Sequence, residues 1–102
     1  MRRFEILLPL QFNDGSPVPA AALHRVLDEV RRRFGAVSFE TQTIHGVWES
    51  QGAVFRDDLS RLFVDVPDTA ENIAWFIAFK QQLKTDFQQL DLWVISHPIS
   101  VH

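Results

Sequence analysis

The side chains of this chain that could carry proton or metal chemistry are four histidines, at 24, 45, 97 and 102, and thirteen carboxylates. No cysteine accompanies them, which excludes thiol nucleophiles, disulfides and thiolate-held zinc. The histidines follow neither His-x-x-x-His nor His-Glu-x-x-His spacing, the helical patterns that bring two imidazoles to one ion. On an extended strand His45 and Glu49 share a face but stand about 13 Å apart, beyond the reach of one metal. The reading is no metal and no cofactor. Neither a Gly-x-Ser-x-Gly elbow nor a glycine-rich phosphate loop occurs.

One pair remains. Gln51-Gly52 reads as a two-residue hairpin turn between arms rich in β-branched and aromatic residues. Antiparallel pairing about that turn sets His45 opposite Asp58, Trp48 opposite Phe55, Thr41 opposite Leu62 and Phe39 opposite Val64. A carboxylate beside an imidazole can orient it as a general base. It can equally be an ordinary cross-strand pair that steadies a hairpin. Asp57 and Asp58 are neighbours on a strand and point to opposite faces, so they do not form an acidic dyad.

The elements that must position these groups follow from periodicity. Residues 3–12 alternate, with Phe4, Ile6, Leu8, Leu10 and Phe12 on one face and Arg3, Glu5, Leu7, Pro9 and Gln11 on the other, as in a strand over a core. A helix is predicted over 19–34 from Leu23, Val26, Leu27, Val30 and Phe34, closed by Arg31–Arg33 and Gly35. The hairpin spans 39–66. Asp68-Thr69-Ala70-Glu71 resembles a capping box with Asp68 at the cap, opening a helix over 69–87 that buries Ile73, Phe76, Phe79 or Ile77, Leu83 and Phe87. Residues 91–97 form the last strand, stopped by Pro98.

The order β-α-β-β-α-β in 102 residues predicts one α+β domain over 1–102, a ferredoxin-like sandwich. Its four-stranded antiparallel sheet, in order 4-1-3-2, has both helices on one face. The other face then displays Leu7, Ile44, Trp48, Phe55, Leu59, Phe63 and Trp93, more apolar surface than a monomer usually leaves bare. A second copy is the expected cover. Trp48 and Trp93 on that face could also stack on a small ligand of unknown identity.

Composition limits the remaining classes. The formal charge is −3 and the pI about 5.7, with no pull toward nucleic acid or anionic membrane. No run of 18 apolar residues occurs, so no membrane span is read and a cytoplasmic location is expected.

Residues 6–22 (ILLPLQFNDGSPVPAAA), Gly46-Val47-Trp48 with Gly52 and Ser60-Arg61, and residues 80–89 (KQQLKTDFQQ) resemble the uncharacterised bacterial DUF3574 family. The matching positions are Asp14, Gly15, Gly46, Trp48, Phe87 and Gln89. The resemblance implies the same fold and brings no reaction with it. The leading reading of function is a domain acting by association, as a homodimer or protein-binding module; the runner-up is a small enzyme or ligand-binding protein of the dimeric α/β-barrel type with a pocket near His45, Trp48 and Asp58.

Overall fold

The computed structural model describes all residues from Met1 to His102. Its elements in chain order are β1 (Arg2–Pro9), α1 (Ala20–Phe34), β2 (Ser38–Phe39), β3 (Ile44–Ser50), β4 (Ala53–Val66), α2 (Ala70–Asp86) and β5 (Val94–Pro98). All strand pairs are antiparallel. β4 lies beside β1, β1 beside β5, and both β2 and β3 lie along the other side of β4. The sheet therefore has five strands rather than the expected four, because the first arm of the hairpin is broken between Phe39 and Ile44.

The break is a two-residue slip. Phe39 pairs with Leu62, not Val64, and the Glu40 N–H still donates to the Arg61 carbonyl at 2.9 Å. Thr41 then leaves the strand, and from Ile44 opposite Leu59 onward the expected register holds, with His45 opposite Asp58 and Trp48 opposite Phe55. A slip of two keeps every side chain on its own face, whereas a slip of one would have reversed them. At the tip, Gln51 and Gly52 have φ of 50° and 80°, the two positive values of a type I′ turn.

The core forms where alternating strand residues meet the helices. Phe4, Ile6 and Leu8 of β1 and Leu62, Val64 and Val66 of β4 are buried with Val26, Val30, Phe76, Phe79 and Leu83. The Phe4 and Phe76 rings stack 4.0 Å apart, and Phe34 stacks on Phe76 at 5.2 Å. Burying each such side chain contributes about 1.5–3 kcal/mol before ordering entropy is subtracted. Of the two residues left open in the second helix, Phe79 is buried and Ile77 is 63% exposed.

Gly35 takes φ 83° and its N–H reaches the Arg31 carbonyl at 2.7 Å, as the sequence implied. The cap of α2 is Thr69, whose hydroxyl accepts from the Asn72 N–H at 3.2 Å. Asp68 is not the cap: it accepts from Arg2 Nε at 2.9 Å and ties the first strand to the helix entry. The last strand is shorter than predicted. Leu92 turns into the core ahead of it, and pairing with β1 begins at Val94.

Candidate functional site

The sheet face away from the helices carries the odd-numbered residues of β1 and β4. Its centre is charged. Arg61 donates to both Glu5 and Glu40, and Arg3 grips Asp65 through two bonds of 2.8 and 3.0 Å. Both guanidiniums stand 4.5 Å from the centre of the Phe63 ring, forming cation–π contacts. The hydrogen bonds from Arg61 and Arg3 hold the Glu5 and Asp65 carboxyls below their ordinary range.

This corrects the expectation of a bare apolar face. Leu7, Ile44, Leu59 and Phe63 are only half exposed, and Pro9 is buried. Arg3, Glu5, Arg61 and Asp65 share their parity, so the signal for a polar centre lay in the same alternation that singled out Leu7 and Phe63. Open apolar surface survives at two ends. Trp93 and Ile95 are exposed beside β5, and Trp48 and Phe55 on the hairpin.

The hairpin beyond Leu59 has no core beneath it. On the face it shares with Phe63, the Trp48 and Phe55 rings stack 4.4 Å apart at 18°. The Trp48 indole N–H donates to Asp57 Oδ2 at 2.6 Å, which fixes the ring plane. Asp57, set aside by the dyad argument, thus anchors the aromatic pair. Gly46 lies across from Asp57, and a Cβ there would come within 3.3 Å of the Leu59 side chain. On the opposite face His45 Nδ1 lies 2.8 Å from Asp58 Oδ1, and Gln11 Nε2 lies 3.5 Å from Asp58 Oδ2. The Asp58 carbonyl accepts from the Leu10 N–H at 2.9 Å, so this is where the hairpin leaves the sheet.

The structure therefore brings His45 and Asp58 together, as predicted, but leaves the His45 side chain 79% exposed. A dyad so hydrated gains nothing from low dielectric. Trp48 and the His45–Asp58 pair lie on opposite faces of the hairpin by register, so the pocket expected among the three does not form. An open groove of about 270 Å³ lies instead between α2 and β5, walled by Phe4, Ile73, Ile77, Val94 and Ile95. What the hairpin offers is an aromatic shelf with a carboxylate at its edge. It can stack on a planar ring and pair with a cation.

No protein-family model and no curated protein matches the chain. Among solved structures it is similar to a phage S-adenosylmethionine lyase in complex with S-methyl-5'-thioadenosine, with a TM-score of 0.70 at 17% identity over 94% of this chain and 79% of that one. A phage S-adenosylmethionine lyase in the apo state superposes with a TM-score of 0.62 at 16% identity, over 98% of this chain and 92% of that one. At these identities the likeness is one of fold.

Proposed function

We propose that this chain is a small-molecule enzyme of the S-adenosylmethionine lyase kind, with its ligand on the Trp48–Phe55 shelf. The observation that supports it is the fold likeness to a lyase holding a methylthioadenosine. The runner-up reading of the sequence, a small enzyme or ligand-binding protein, thereby comes ahead of a pure association module. Counting β2 and β3 as one interrupted edge strand, we also assign the sheet to the ferredoxin-like order 4-1-3-2.

The chemistry asks little of the protein. The substrate's own carboxylate oxygen bonds to its Cγ while the Cγ–S bond breaks and the electron pair goes to sulfur. Methylthioadenosine and a lactone leave, with no protein nucleophile and no external proton. Positive charge on sulfur disappears in this step, so a carboxylate against the sulfonium would favour the ground state and slow it. The productive pose stacks the adenine on Trp48 and pairs Asp57 with the substrate ammonium, which keeps its charge throughout. His45 and Asp58 touch no reacting atom in this pose.

Incubation with S-adenosylmethionine, followed by chromatography for methylthioadenosine, tests the reading. The wild type is expected to form product, and Trp48→Ala to lose at least tenfold in kcat/KM. If the wild type forms no product and methylthioadenosine leaves the tryptophan fluorescence unchanged, the proposal is wrong.

A further inference from the structure

The two edges of the sheet differ in how they are protected. β5 is five residues long and ends on Pro98, which has no N–H to offer. β3 is seven residues long and pairs on one side only. It holds no proline, no lysine and no bulge, the devices that usually blunt a free edge. Val47 stands 64% exposed at its centre.

Register decides what this edge can accept. Ser50 and Ala53 flank the two-residue turn and exchange both of their hydrogen bonds, so Trp48, Gly46 and Ile44 also bond inward to β4. The free N–H and C=O groups of His45, Val47 and Glu49 then point outward. We infer that β3 pairs antiparallel with β3 of a second copy, with Val47 on the two-fold axis. In this register about six hydrogen bonds form, because every outward-pointing residue meets another.

The side chains agree with the backbone. Val47 meets Val47. His45 meets Glu49 of the second copy, an imidazole against a carboxylate, with Nε2 still free because Nδ1 faces Asp58. Trp48 stands opposite the second copy's Gly46, which brings no side chain against the ring. Shifting the register by two residues either way takes Val47 off the axis and loses the pairing of His45 with Glu49. The occupant is thus a second copy of this chain, joined edge to edge rather than face to face. The inference is independent of the lyase reading.

The absence of cysteine makes the test direct. Sedimentation velocity at micromolar concentration, without ligand, is expected to show twice the 11.8 kDa chain mass. Val47→Lys sets two cations on the axis and is expected to raise the dimer Kd at least tenfold, with an unchanged circular dichroism spectrum. Val47→Cys is expected to cross-link under mild oxidation, since paired residues at such a site hold their Cα atoms about 5.5 Å apart. Val54→Cys, on β4 of the same hairpin and 55% exposed, is expected not to. A monomeric or trimeric wild type overturns the inference, as does cross-linking at both positions or at neither. A monomer that still makes methylthioadenosine would sink the edge pairing and leave the lyase reading intact.

Discussion

The two halves of β4 have the same alternating backbone and opposite fates. From Ser60 to Val66 every even-numbered residue is buried under the helices, and the odd-numbered residues hold the charged lattice on the far side. From Ala53 to Asp57 every residue is exposed, including Val54 and Phe55. Strand geometry is common to both, so it is not what makes a residue structural. What lies above and below the strand decides that. The lower half is buried and serves stability, and the upper half is left exposed to solvent.

Substitutions that cross this boundary should separate the halves most widely. Phe76→Ala removes the ring stacked between Phe4 and Phe34 and is expected to cost about 3–5 kcal/mol in urea unfolding. Phe55→Ala, of the same chemistry on the hairpin, is expected to cost less than about 1 kcal/mol. Equal costs would mean the hairpin has a core of its own.

Arg61→Ala sharpens the picture on the sheet's open face. It leaves the Glu5 carboxylate half-buried and without its partner, and is expected to cost about 1–3 kcal/mol. Acid should act on the same groups. The Glu5 and Asp65 carboxyls titrate lower in the folded chain than in the unfolded one, so the stability they contribute is present above their unfolded values. It is lost as pH falls through their folded values. Unfolding free energy is expected to be level above about pH 5 and to decline below it. In Arg61→Ala the decline should be shallower, which urea titrations at stepped pH would read.

The smallest effect belongs to the pair the sequence singled out. A double-mutant cycle of His45→Ala and Asp58→Ala is expected to give less than about 1 kcal/mol of coupling, as for other exposed pairs. It should leave methylthioadenosine formation unchanged. Loss of turnover in His45→Ala would return the dyad to the site and break the division between the halves.

Much of this molecule was legible from side-chain spacing. Val26 and Val30 lay at helical intervals, Phe4, Ile6 and Leu8 at strand intervals, and Gln51-Gly52 marked a turn from which His45 and Asp58 could be paired. The slip at Thr41 was not legible, because a two-residue insertion leaves the alternation unchanged. The charged face was missed for a different reason. Arg3, Glu5, Arg61 and Asp65 look like ordinary surface residues until two strands are set side by side and their charges meet across them.

Taken alone, the sequence determined the local order: which segments coil, which extend, where the chain turns and which face of each element is apolar. Those properties depend on dihedral preference and on periods of two or about four residues. Only the tertiary structure decided that Arg61 bridges two carboxylates, that Phe39 pairs with Leu62 across a break in the hairpin's first arm, and that β3 ends with a free edge. Each of these depends on contacts between residues distant in the chain, and local spacing carries no record of them.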